Sequence, residues 1–151
     1  MSELEELYQE LIMDHNRKPR NFRSLDKPDR EANGYNPFCG DTVTLYLELD
    51  DGHVSDVSFQ GSGCAISRAS ASMMTEIIRG KSDEEARNIF QSFHEMLTRS
   101  IEDDFNPDEA LGDLVVLAGI SEFPTRVKCA TLSWNTLKAA LDGKEEITKT
   151  E

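Results

Sequence analysis

Thr42-Val43-Thr44-Leu45-Tyr46-Leu47-Glu48-Leu49-Asp50-Asp51-Gly52-His53-Val54 is the stretch that decides the fold of this chain. Val43, Leu45, Leu47 and Leu49 alternate with Thr42, Thr44, Tyr46 and Glu48. Side chains of a strand point to opposite faces in turn, so one face is aliphatic and the other polar, as in a half-buried strand. Asp50-Asp51-Gly52 has the chemistry of a tight hairpin turn. A second strand is expected through Val54, Val57 and Phe59, and its broken alternation predicts a bulge.

Outside this hairpin the apolar period becomes helical. Gly61-Ser62-Gly63-Cys64 reads as a tight turn. A helix opens after it with Ile66, Ala69, Met73, Met74 and Ile77 on its apolar face, and Gly80 stops it. Ser82-Asp83-Glu84-Glu85 predicts a capping box for the next helix, whose buried face is Ala86, Ile89, Phe90, Phe93, Met96 and Leu97. Residues 100–110 are acidic and loop-like, and Leu111 to Ile120 reads as a short helix. Pro124 suits the first turn of a final helix, with Val127, Thr131, Trp134 and Leu141 along one side and Asp142-Gly143 at its end.

Towards the N-terminus, residues 3–15 form an amphipathic helix with Leu4, Leu7, Tyr8, Leu11 and Ile12 as its stripe. Asn16 to Asn36 is polar and basic, with Pro19, Pro28 and Gly34, and is expected to cross as an extended or looped segment. The expected fold is α+β, a small antiparallel three-stranded sheet with helices packed mainly on one face. The 151 residues make a single domain, with a helix and basic loop over 1–22 and a frayed tail over 144–151.

Composition narrows the function. Sixteen Lys and Arg stand against 29 Asp and Glu, a net charge of −13. That argues against nucleic acid and against an anionic membrane surface, both of which need clustered basic residues. The start, MSELEELYQELIMDH, lacks the basic and apolar regions of a secretory signal. No apolar run approaches the roughly 18 residues of a membrane span. A cytoplasmic location is expected, where three cysteines point to thiols, metal ligands or redox chemistry instead of a disulfide framework.

Cys39 lies just before the first hairpin strand and Cys64 just after the second, so antiparallel pairing makes them neighbours although 25 residues separate them. Asp41 shares the site through Cys39-Gly40-Asp41. The unpaired N–H groups at a helix start favour anionic sulfur at Cys64 and, further into the last helix, at Cys129. Arg126 lies one turn before Cys129 on the same face. Three thiolates and a carboxylate suit tetrahedral zinc, and sulfur ligation also suits an iron–sulfur cluster. Arg126 or Lys128 could offset the charge.

Other candidates are weaker. His15, His53 and His94 have no metal spacing and read as solvated surface residues. Trp134 reads as core, and Ser67, Ser70 and Ser72 as small packing residues without a His–Asp partner pattern. Gly61 and Gly63 do not complete a phosphate-binding motif.

Asn36-Pro37-Phe38-Cys39-Gly40-Asp41, Phe59 to Ser67 and Arg126-Val127-Lys128-Cys129-Ala130 resemble the three signature blocks of the IscU/NifU-type iron–sulfur scaffold family. Asp14-His15 and Lys18-Pro19-Arg20-Asn21 resemble its opening. The resemblance runs from about residue 5 to 142 and is nearest to the SufU branch. IscU proteins carry a histidine before the third cysteine, where this chain has Lys128. Leu111 to Phe123 resembles the additional SufU segment, and Pro124-Thr125-Arg126-Val127-Lys128 replaces the chaperone-docking LPPVK-like motif of IscU.

The resemblance implies that Cys39, Asp41, Cys64 and Cys129 bind zinc. It further implies that Cys39 accepts persulfide sulfur from a SufS-like, pyridoxal-phosphate cysteine desulfurase and relays it to downstream cluster-assembly proteins. Arg126 matches a SufU arginine near the zinc, with a charge-supporting role. The alternatives are a scaffold that holds an iron–sulfur cluster transiently and, from another class, a structural zinc-binding interaction domain.

Overall fold

The computed structural model describes residues 3–37, 39–99, 109–143 and 148–149. Helix α1 (Glu3–Arg17) is followed by three antiparallel strands, β1 (Arg30–Asn36), β2 (Asp41–Asp50) and β3 (His53–Ser62). Helices α2 (Ala65–Ile78) and α3 (Asp83–Thr98), a 3₁₀ segment (Glu109–Glu122) and α4 (Pro124–Leu141) come next. Thr148–Lys149 adds a two-residue strand, β4, parallel to β1, so the sheet order is β3-β2-β1-β4. The expected fold class holds. The expectation of a loop over 100–110 falls almost entirely outside the described residues, as does that of a frayed tail except for β4.

The hairpin forms as its sequence dictates. Asp51 and Gly52 have φ of +51° and +78°, the positive pair that matches the twist of the flanking strands. Glu48 pairs with Asp56 and Leu49 with Val54, which leaves Ser55 as the extra residue of a bulge. The bulge turns Val54 to the same face as Val57 and Phe59, and all three are buried with Val43, Leu45 and Leu47. The strand β3 runs on to Ser62, so only Gly63 and Cys64 separate it from α2, tighter than the four-residue turn expected. Residues 21–23 cover the outer edge of β3: Phe59 N–H donates to Asn21 O (3.0 Å) and Arg23 N–H to Phe59 O (3.1 Å). Covering it removes an edge that could pair with another chain.

The helices lie on the aliphatic face. The capping box at Ser82 and Glu85 is complete in both directions. Pro124 opens α4 as expected. That helix is buried on nearly all sides from Cys129 to Leu141, not along one side only, because β1, β2, α2, α3 and the 3₁₀ segment all pack on it. Trp134 is wholly buried at its centre, stacked on Phe90 and tilted against Phe93.

The short helix expected from Leu111 to Ile120 is 3₁₀. Leu111, Leu114, Leu117 and Ile120 recur every three residues and are all buried, which is the period of a 3₁₀ turn and not of an α-turn.

Two readings on α1 need correction. Leu7 is exposed, and Tyr8, Leu11 and Ile12 are the residues packed on the core; the side chain of Leu4 lies outside the described residues. His15 is not solvated but 1% exposed. Its Nδ1 is 2.7 Å from Ser72 Oγ, which also accepts from Arg20 N–H (2.8 Å). Burial and the Arg20 charge lower the His15 pKa, against the opposing pull of Glu76, Asp113 and Asp14. Ser72 is thus a polar hub joining α1 to α2, and not merely a small packing residue. His53 and His94 are exposed as expected.

Candidate metal centre

The site lies where the end of β1, the start of β2, the start of α2 and the second turn of α4 meet. Asn36 O accepts from Gly40 N–H (2.8 Å), which closes the turn carrying Cys39. Gly40 has φ of +72°, a backbone that glycine adopts without strain. It folds Cys39 and Asp41 to the same side.

One ligand atom each from Cys39, Asp41 and Cys129 lie within 4.8 Å of one another. Cys129 Sγ is 3.4 Å from Cys39 Sγ. Cys39 is exposed, while Cys129 is 3% and Asp41 0% exposed. The buried Asp41 carboxylate is held at both oxygens. Cys64 N–H donates to Oδ1 (2.9 Å), and Asn36 Nδ2 donates to Oδ2 (3.2 Å). Asn36 Nδ2 also lies 3.5 Å from Cys129 Sγ. Gly63 is required beside them, since a Cβ there would stand 2.5 Å from Asp41 Oδ1.

This differs from the expectation in which cysteines converge. Hairpin pairing does bring the Cys64 backbone to Asp41, but the compact trio contains Cys129, and the Cys64 side chain stays exposed outside it. Cys64 is still near enough for its charge and a hydrogen bond to act on Cys129. Cys64 caps α2 with extended backbone, as expected of a residue at a helix start.

Cys129 also departs from expectation. Its thiol is pushed far up, first by burial, then by a hydrogen bond with Cys39 and the charge of Cys64. The helix start is too distant to outweigh desolvation at its sixth residue. Such crowding of two sulfurs and a carboxylate is what a divalent cation would relieve. The donor set of thiols with one carboxylate fits zinc, which needs its thiols deprotonated.

Arg126 is exposed, with its guanidinium carbon 5.0 Å from the centroid of the Phe123 ring in a cation–π contact. Lys128 is half-buried. Sequence reasoning missed two residues that shape the site, Asn36 and Gly63, and, away from it, the buried His15. Asn36 and Gly63 sit inside the very blocks that hold the cysteines, but as neighbours of ligands they carried no signal of their own. His15 did carry one, since Tyr8, Ile12 and His15 follow the i, i+4, i+7 spacing of a buried face.

Among the described residues no helix is long and apolar enough to cross a membrane. The model of the NifU-like N-terminal domain matches residues 7–142. The chain is 45% identical over 144 residues to the zinc-dependent sulfurtransferase SufU of Bacillus subtilis, covering 95% of this chain and 94% of that one. It is 40% identical over 142 residues to the iron–sulfur cluster assembly scaffold protein IscU of Streptococcus pyogenes, covering 93% and 86%. A crystal structure from Fervidobacterium islandicum, described as a cluster assembly scaffold protein for the SUF system, superposes with a TM-score of 0.80 at 36% identity, covering 87% of this chain and 94% of that one. With nine-tenths of its length inside the family match and relatives of both kinds aligned over most of their length, the chain belongs to the NifU-like N-terminal domain family and is of its IscU/SufU type.

Proposed function

We propose that this protein serves iron–sulfur cluster assembly as a zinc-dependent sulfurtransferase, with Cys39 as the sulfur acceptor. The observation that carries the reading is the asymmetry of the trio: Asp41 and Cys129 are buried and held, whereas Cys39 is exposed on a short glycine turn beside them. A thiol that must meet a partner protein has to be reachable, and one that must be guarded between encounters needs ligating neighbours. The 45% identity to a protein named as a zinc-dependent sulfurtransferase supports the same reading.

Zinc would be held by Cys39, Asp41 and Cys129, with the Cys64 thiol completing four ligands, and when bound it would keep these thiols deprotonated and protected. This chain's own residues then orient and deliver. Gly40 lets Cys39 turn outward, and Asn36 with the Cys64 amide keep Asp41 in place. The sulfur donor is a cysteine desulfurase, whose persulfide gives its terminal sulfur to Cys39 for passage to the cluster-building proteins. Arg126, exposed one turn before Cys129, would give charge support at the mouth of the site.

The test is desulfurase turnover with wild-type protein and with Cys39→Ala. Stimulation and sulfur labelling are expected to vanish in the variant; undiminished stimulation would sink the role. The second reading is a cluster scaffold, favoured by 40% identity to a protein so named. Anaerobic loading with iron and sulfide separates the two, because a stable cluster that transfers to an acceptor belongs to a scaffold.

A further inference from the structure

Asn36 is a wholly buried amide at the end of β1, and it touches three parts of the site. Its carbonyl closes the Cys39 turn through Gly40 N–H at 2.8 Å. Its Nδ2 reaches Asp41 Oδ2 at 3.2 Å and Cys129 Sγ at 3.5 Å. A carboxylate oxygen and a ligating cysteine sulfur are both acceptors, and the amide nitrogen carries two N–H donors, so one goes to each. Through Asp41, whose other oxygen takes the Cys64 N–H at 2.9 Å, the hold extends to the start of α2.

The two anchors come from distant elements, β2 and α4, and the Asn36 side chain bonds to both. Cys39 is outside this hold. Its Sγ meets Cys129 Sγ at 3.4 Å, and its turn is closed by the main-chain bond from Gly40 N–H to Asn36 O. We propose that Asn36 is a positioning residue that locks Asp41 and Cys129 into ligating geometry and so keeps the Cys129 thiol from taking the sulfur that Cys39 accepts.

The selectivity half of this inference rests on the sulfurtransferase reading. The transfer balances without an outside oxidant. Cys39 sulfur, after losing its proton to solvent, bonds to the terminal sulfur of the donor's persulfide. The donor's S–S bond breaks and its cysteine leaves as a thiolate.

The experiment uses full-length Asn36→Leu, close in size without donors, and Asn36→Ser, smaller and easier to accommodate. Metal-free melting temperatures identify which variants fold. Zinc affinity is measured by chelator competition, the cobalt(II)-substituted absorption spectrum is recorded, and persulfide is mapped to individual cysteines after incubation with desulfurase and cysteine. Zinc binding is expected to weaken by about 10–100-fold, the usual effect of losing a residue that orients metal ligands. The sulfur-to-cobalt band is expected to change, and sulfur to spread from Cys39 to Cys129. A folded variant with wild-type zinc affinity and spectrum overturns the positioning role. Label confined to Cys39 in every folded variant overturns the selectivity. A wild-type protein that takes no sulfur overturns the relay reading and the selectivity together, while the zinc affinities still judge the positioning role.

Discussion

Replacing Gly63 by alanine tests whether the Asp41 carboxylate is as tightly seated as it looks. The new methyl would lie 2.5 Å from Asp41 Oδ1 and 3.0 Å from both Cβ and Cγ. Asp41 is short, wholly buried and rooted in β2, so it cannot swing clear as a long surface side chain would. Its carboxylate must rotate, and rotation gives up the 2.9 Å bond from Cys64 N–H. A hydrogen bond to a charged group contributes about 1.5–3 kcal/mol. For a domain of this size each kcal/mol moves the melting temperature by about 2–4 °C, so a drop of roughly 3–12 °C is expected in the metal-free protein. Zinc affinity should fall by about 10–100-fold with it. The assays are calorimetric melting in chelator and competition titration with zinc, each repeated in an Asp41→Ala background. There Oδ1 and Cγ are gone and only the 3.0 Å approach to Cβ remains, so Gly63→Ala should cost less, and the cycle isolates the carboxylate's share. Equal cost in both backgrounds, or no cost in either, would refute the reasoning.

The other predictions concern the scaffold around the site. His15 has a folded pKa below its ordinary value of about 6.5, so the unfolded chain binds the extra proton first and stability is lost as pH falls below about 6.5. Chemical denaturation of wild type against His15→Gln between pH 8 and 5 should show an extra acid-side loss in wild type of at most about 1.4 kcal/mol per pH unit, and parallel curves would dismiss it. Ser82→Ala removes the α3 cap and should cost about 1 kcal/mol, read as a melting shift of about 2–4 °C. Trp134→Ala opens a cavity at the centre of α4 and should cost about 3–5 kcal/mol in denaturant unfolding.

Much of this architecture was legible because local chemistry and burial agree. The alternation of Val43, Leu45 and Leu47, the Asp51-Gly52 turn, the Ser82 cap and Pro124 each specify their element without distant partners. Strand β1 was legible only as an extended crossing. Its inward residues are Ala32, Gly34 and Asn36, small or polar, so no apolar alternation marks it. They are small because α4 lies on them: a Cβ at Gly34 would stand 2.1 Å from Thr136 Oγ1. In sequence the 3₁₀ segment looks like any short helix, because a three-residue period differs little from 3.6 over ten residues.

At the site, hairpin pairing announced the meeting of Cys39, Asp41 and Cys64, of which Cys64 reaches Asp41 through its backbone N–H. Cys129 comes from 90 residues beyond Cys39, and no local pattern could place it there; its arrival depends on how α4 packs across β1 and β2. The same distance hid Asn36, whose two acceptors lie on different elements.

The central claim is that Cys39, Asp41, Cys64 and Cys129 share one metal ion. Its most direct test is the zinc content of freshly purified protein, measured by elemental analysis for wild type and for the four single alanine variants. One zinc per chain in wild type, and less in every variant including Cys64→Ala, is the predicted result. Wild-type protein without zinc, or full zinc content in Asp41→Ala, would contradict it.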